Sequence, residues 1–162
     1  MHPDLYRLLI ALGIGAIIGA EREYRSKSAG LRTMIMVSLS SCLFTIMSLK
    51  IGVDSHDRIA ANILTGLGFV GAGVIFKDEN RISGITTATT IWMTAALGMA
   101  AGAGYEMLSL FATFIVLIVL IFLIYVQEKI EALSQARTYR IICPYQRKIL
   151  DQYEALFKTY NM

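Results

Sequence analysis

The stretch DRIAANILTGLGFVGAGVIFKDENRISGITTATTIW, residues 57–92, joins two apolar segments through a short charged one. Its first segment carries Gly66, Gly68, Gly71 and Gly73 within a run that is uncharged and too apolar to be a loop. Small residues at such density suit a helix in a bilayer, where they let another backbone approach closely. The second segment is crowded with threonine: Thr86, Thr87, Thr89 and Thr90. Hydroxyls in that number do not belong on a face turned to lipid, so this face is expected to look toward the glycine-rich segment or a polar pore.

Outward from this pair, the charges leave five apolar windows: about residues 5–20, 33–52, 59–76, 85–104 and 107–126. Each approaches the roughly 20 residues a helix needs to cross about 30 Å of hydrocarbon. With 56% hydrophobic and 17% charged residues and a mean hydropathy of +0.58, the chain is too apolar for an ordinary soluble domain. The expected fold is all-α and membrane-embedded: five transmembrane helices over residues 1–126, then a short cytoplasmic α/β tail over 127–162. The tail reads as one strand, TYRIIC, and one amphipathic helix, QRKILDQYEALFKTY. One strand and one helix cannot bury a core alone.

The basic residues orient this arrangement. Of the 15 lysines and arginines, only Arg7, Lys50 and Arg58 fall on the side shared by the N-terminus and the second and fourth connections. The others cluster after the first and third windows and in the tail, so the positive-inside rule places the N-terminus outside and the C-terminus in the cytoplasm. Topology therefore accounts for the basic residues, and no nucleic-acid partner is expected. The residues before the first window, including Asp4 and Arg7, make no basic leader, so that window is expected to be a retained helix. Cys42 and Cys143 fall in different compartments, which argues against a disulfide.

Several residues stand out as candidates. Ala11, Gly15 and Gly19 form a small-residue ridge on the first helix, and Gly98 and Gly102 lie on another on the fourth. After the first helix, Glu21 and Arg25 are spaced to pair on a short helical extension. Glu21, Arg22 and Arg32 are either solvated anchors or charges at the cytoplasmic mouth that must pair or bind something. Asp54, His56 and Asp57 offer a weak external magnesium site, since magnesium keeps its waters and takes few carboxylates. The same residues serve equally as a cap for the third helix. Within that helix Arg58, Asn62 and Thr65 share a face. Asn62 is deep enough to need a hydrogen-bond partner or a wet cavity. Trp92, in mid-segment, needs an acceptor for its indole N–H, with the threonines as candidates. The fifth helix reads as a lipid-facing wall. GLGFVG formally matches a dinucleotide fingerprint, but no strand precedes it and no acidic residue follows at the needed offset.

Taken in order, GAIIGAERE…AGLRT, DRIAANILTGLGFVGAGVI and GITTATTIWMTAALGMAAGAG resemble the MgtC/SapB family of bacterial inner-membrane proteins, over about residues 8–126. On that resemblance Glu21 and Arg22 match the paired charges after the first helix, and Gly30, Arg32 and Thr33 its G-x-R-T turn. Arg58, Gly66, Gly68, Phe69, Gly71 and Gly73 match the central motif, and Gly84, Thr86, Thr87, Ala88 and Trp92 the next. Longer members end in a cytoplasmic domain resembling ACT folds, of which the tail from Thr138 looks like the beginning.

The resemblance implies a multi-pass inner-membrane protein linked to low-magnesium growth and virulence. In the best-known case a member restrains the proton-translocating ATP synthase. The expected function is a non-enzymatic regulator that contacts another integral membrane protein and forms a homo-oligomer, without a cofactor unless magnesium binds weakly. The alternative is an ion transporter or channel, with Arg58, Asn62, Thr86 and Thr90 lining a path between the third and fourth helices. No nucleophile–base pair or carboxylate dyad argues for catalysis.

Overall fold

A computed structural model describes residues 3–51, 56–78 and 81–133. Five helices follow in order: α1 (Pro3–Tyr24), α2 (Leu31–Ile51), α3 (His56–Gly73), α4 (Ile85–Gly102) and α5 (Glu106–Leu133). Two short strands, β1 (Phe76–Asp78) and β2 (Arg81–Ser83), separate α3 from α4. The chain divides into two compact units, residues 1–125 and 126–162. Of the second, only the end of α5 is described, so the expected tail strand, tail helix and Cys143 lie outside the described residues.

Among the described residues, three helices are long and apolar enough to cross a membrane: α1, α2 and the Glu106–Val126 part of α5. The other two have 18 residues each, about 27 Å at 1.5 Å per residue. In α3 an apolar run covers Ala61–Gly73 among the described side chains. The third window ends sooner than expected, because the chain leaves the helix at Gly73 and forms an antiparallel hairpin. Phe76 faces Ser83, Lys77 faces Ile82, and Asp78 faces Arg81. The short charged segment between the two apolar ones therefore carries two paired strands. Gly84, at φ 91°, turns β2 into α4. A side chain there would be strained by the backbone angle and would also run into the Val74 carbonyl.

The core is a three-helix unit with α2 in the middle. Along α1, Ala11, Gly15 and Gly19 face α2 running the opposite way. A Cβ at Gly15 would sit 2.7 Å from Ile35 Cα, and one at Gly19 2.7 Å from Leu31 Cα. The Ser38 hydroxyl donates to the Ala11 carbonyl at 2.7 Å, tying the two helices. α2 also runs parallel to α4. There Met34, Ser38 and Cys42 meet Thr94, Gly98 and Gly102, one-to-one and four residues apart. A Cβ at Gly98 would collide with the Ser38 carbonyl, and one at Gly102 would lie 2.5 Å from the Cys42 carbonyl. Small residues thus let two backbones touch, which is the main source of helix association in lipid.

Around these contacts lie two apolar clusters. Ile14, Ile18, Met34, Ile91, Leu97 and Leu120 form one; Ala11, Cys42, Ile46 and Ala101 form the other. α4 is crowded: nine of its residues are buried, against 11% of the α5 span. The Ser109 hydroxyl ties α5 to α4, donating to the Leu97 carbonyl at 2.7 Å. Its many exposed aliphatic and aromatic side chains, including Phe111, Phe114, Phe122 and Leu123, fit the outer-wall reading.

Candidate functional site

At the end of the bundle where α1 meets α2, α1 runs on as helix to Tyr24, and its last turn carries the charges. Glu21 accepts from Arg22 Nε at 2.5 Å and from Arg25 Nε at 2.8 Å, the second being the i, i+4 pair read from the sequence. Arg22 continues the inward face set by Ile14 and Ile18, and its side chain is only 2% exposed. A buried guanidinium needs a paired carboxylate, since desolvation otherwise outweighs any gain. Glu21 supplies it, so of the three residues expected at this mouth the structure brings two together. Arg32 is exposed and lies apart, lining an open cavity of about 580 Å³ with Glu23, Gly30, Leu31 and Thr33.

Glu23 had no role in the sequence reading. Its Oε2 accepts from the Leu31 backbone N–H at 3.0 Å, so it caps α2 from eight residues upstream. A carboxylate there satisfies an orphan donor and complements the helix dipole. Gly30 keeps the space open, because a Cβ would meet that same carboxylate. A serine, threonine or aspartate cap has a local signal; a glutamate reaching across a turn has none.

The threonine face of α4 is spoken for within the chain. Thr90 donates to the Thr86 carbonyl at 2.7 Å, Thr89 to the same carbonyl at 2.9 Å, and Thr94 to the Thr90 carbonyl at 2.8 Å. Thr94 also lies 3.6 Å from Met34 Sδ. On this face Thr94 meets Met34 of α2, where α3 or a pore was expected. Thr87 is buried and Thr86 exposed.

Asn62 does not join these threonines. Gly71 of α3 lies against Ala88 of α4, a Cβ on it falling 3.6 Å from the alanine's. Counting back along antiparallel helices puts Asn62 level with Leu97, about 10 Å along the axis from Thr90. Instead it lines a groove of about 220 Å³ between α2 and α3 with Ser40, Ser41, Phe44, Ile63, Gly66 and Leu67. Its carboxamide has no hydrogen-bond partner among the described residues. Trp92 is 48% exposed, and no described residue accepts from its indole N–H.

The glycines divide in the same way. Gly15, Gly19, Gly98 and Gly102 each receive a neighbouring backbone, whereas Gly66, Gly68 and Gly73 have nothing within 4 Å of where a Cβ would stand. Asp54 and the side chains of Asp57, His56 and Arg58 lie outside what the structure describes. Among the described residues, no group of three His, Cys, Asp or Glu side chains lies together as a metal site would require.

At the opposite end, a polar clasp was not legible in the sequence. Arg7 donates to Glu106 Oε1 and to the Gly102 carbonyl, both at 3.3 Å, which places a cation at the C-terminus of α4. Gly104, at φ 90°, leaves room for that guanidinium. Lys50 pairs with Asp4.

Helices with apolar outer faces, joined by backbone contact and interhelical hydroxyl bonds, define an α-helical membrane protein. The family model described as the MgtC family matches residues 8–129. The chain belongs to that family. It is 42% identical over 116 residues to Protein MgtC of Salmonella typhimurium strain LT2, covering 72% of this chain and 50% of that protein. To Protein SapB of Bacillus subtilis it is 42% identical over 142 residues, 80% of this chain and 61% of that one. To Protein MgtC of Brucella abortus it is 40% identical over 104 residues, 64% and 44%. The chain spans about half the length of the curated relatives it matches. No solved structure matches it.

Proposed function

We propose that this chain is a non-enzymatic regulatory protein of the bacterial inner membrane that acts by helix-to-helix contact with another integral membrane protein. Five helices span the bilayer with the N-terminus outside and the C-terminus in the cytoplasm, as the distribution of Lys and Arg supports. The observation that carries the reading is where the hydroxyls go. Ser38, Thr90, Thr94, Ser109 and Thr113 all donate to helix carbonyls. A conduction path needs oxygens that line a hydrated pore, whereas these five hydroxyls are buried among the helices. Trp92 points the other way: a half-exposed indole N–H in mid-helix without an acceptor suits a neighbouring protein better than lipid. A link to magnesium-limited growth or virulence, and ATP synthase as the partner, follow from family likeness.

A photoreactive residue at Trp92, expressed in native membranes, tests this. The reading expects one membrane protein to be captured reproducibly from that position and not from Phe114 on the α5 wall. It fails if purified protein in sealed vesicles carries an ion flux that Asn62→Leu abolishes. That result would instead favour the transporter, with Asn62 in its path.

A further inference from the structure

The groove between α2 and α3 gathers polar groups that the bundle leaves unpaired. Ser41 is 2% exposed, yet its hydroxyl has no hydrogen-bond partner among the described residues. A helical serine often turns back to a carbonyl one turn earlier. Here the Val37 carbonyl takes the Ser40 hydroxyl at 3.2 Å, and the Ser38 carbonyl is pressed against Gly98. Among the described residues no sealed side-chain nitrogen or oxygen lacks a partner, so the little of Ser41 that is open includes its hydroxyl, and it opens on the groove. The Asn62 carboxamide, also without a partner among the described residues, lines the α3 side. The other walls are Ser40, Phe44, Ile63, Gly66 and Leu67, and a Cβ at Gly66 would meet nothing within 4 Å. At about 220 Å³ the groove is smaller than the roughly 300–1,000 Å³ that encloses a whole small molecule. It suits one neutral segment of a longer molecule, with hydrogen-bond acceptors on an apolar body.

Its depth says which molecule. A Cβ at Gly102 would lie 2.5 Å from the Cys42 carbonyl, so Ser41 and Cys42 are level with the end of α4. Beside that end stand the Arg7–Glu106 pair and the exposed rings of Tyr6 and Tyr105. Charges and tyrosines of this kind mark the edge of the hydrocarbon. Tyr125, exposed at the other end of the α5 span, is 20 residues from Tyr105. That is about 30 Å along a helix, the thickness of the hydrocarbon layer. Ser41 therefore lies near the boundary at which glycerolipids carry their ester carbonyls. We propose that the groove binds the ester region of a phospholipid. The Ser41 hydroxyl and the Asn62 N–H donate to ester carbonyls, and Phe44, Ile63 and Leu67 receive the first methylenes of the acyl chain. The proposal rests on the regulatory reading only in placing α2 and α3 within the bilayer.

The test uses the full chain reconstituted into vesicles of phosphatidylethanolamine and phosphatidylglycerol. A trace of the phosphatidylethanolamine carries a diazirine beside the ester of one acyl chain, and crosslinked residues are mapped by mass spectrometry. In wild type, Phe44, Ile63 and Leu67 should be labelled about ten times more than Leu108 and Phe111, which are exposed on α5 near Tyr105. Ser41→Ala combined with Asn62→Leu should lower the groove labels about ten-fold, as the loss of two hydrogen bonds in a membrane does, and leave the α5 labels unchanged. A probe lipid with ether in place of ester linkages has no carbonyls, and should label the wild-type groove no more than it labels α5. If the double variant does not fold, this comparison of ester and ether lipids on wild type carries the test. Equal labelling of groove and α5 by the ester lipid, or equal labelling of the groove by ester and ether lipids, overturns the proposal. Even labelling in a protein that still captures a partner through Trp92 sinks the lipid site alone; groove labelling in one that captures none sinks the regulatory reading alone.

Discussion

α4 and α3 both carry glycines at helical spacing and use them in opposite ways. In α4, Gly98 and Gly102 are consumed inside the chain, pressed against the Ser38 and Cys42 carbonyls of α2. In α3, Gly66, Gly68 and Gly73 face open space. The same residue type at helical spacing therefore does not say which surface it serves. What distinguishes the two is the neighbour: α2 offers α4 a run of Ser38, Ser41 and Cys42, all buried and small enough for backbone approach, whereas of the α3 glycines only Gly71 meets another helix, at Ala88.

The sharpest way to break this contrast is to give both helices the same substitution. Gly98→Leu forces a side chain into the Ser38 carbonyl, and α2 cannot yield without losing its grip on α1. Overpacking of this kind costs about 1–3 kcal/mol where neighbours can move, and more where the obstacle is backbone. No folded protein is expected in detergent by size-exclusion chromatography. Gly68→Leu, meeting nothing in its own chain, should melt within about 0.5 kcal/mol of wild type as a detergent-solubilised monomer. Equal losses for the two would erase the distinction.

Next in size is Glu21→Ala at the end of α1. It leaves Arg22, 2% exposed, without its carboxylate, and stranding a buried charge costs about 3–5 kcal/mol when no water reaches it. A thermal melt should show most of that loss, because Arg25 alone cannot compensate a like charge. Recovery of stability in the double variant Glu21→Ala, Arg22→Leu would confirm that the stranded guanidinium is the cause.

How much of this could be read in the chain follows from the range of each interaction. The five helices were legible because charge is segregated from apolar runs, and the ridge of Ala11, Gly15 and Gly19 was legible because its residues are four apart on one helix. The crowding of α4 was visible for the same reason. Periodicity gives a face but not its neighbour, so the threonine face was expected to look toward α3 or a polar pore, whereas its Thr94 meets Met34 of α2. The hairpin has three residues per strand, too few for alternation to show. Arg7 with Glu106, and Asp4 with Lys50, are joined across 99 and 46 residues, and only the fold brings them together. The openness of the α3 glycines was hidden because sequence registers a small residue without registering what stands beside it.

A smaller comparison sharpens the role of α2 itself: a hydroxyl that crosses between helices against one that bonds within its own. Ser38 donates to α1 across the core at 2.7 Å. Ser38→Ala should lower stability by about 0.6–2 kcal/mol, the range for interhelical hydrogen bonds in membranes. Thr90 is buried as well, 4% exposed, but its donor ends on Thr86 of the same helix at 2.7 Å. Thr90→Val keeps the shape, and the Thr86 carbonyl keeps its place in the α4 backbone ladder, so the melt should move by less than about 0.5 kcal/mol. Thermal melts of both variants in one detergent measure the difference directly. If Thr90→Val proved as costly as Ser38→Ala, its hydroxyl would have to serve something beyond α4, and the case that the polar groups of this bundle are committed to helix carbonyls would weaken with it.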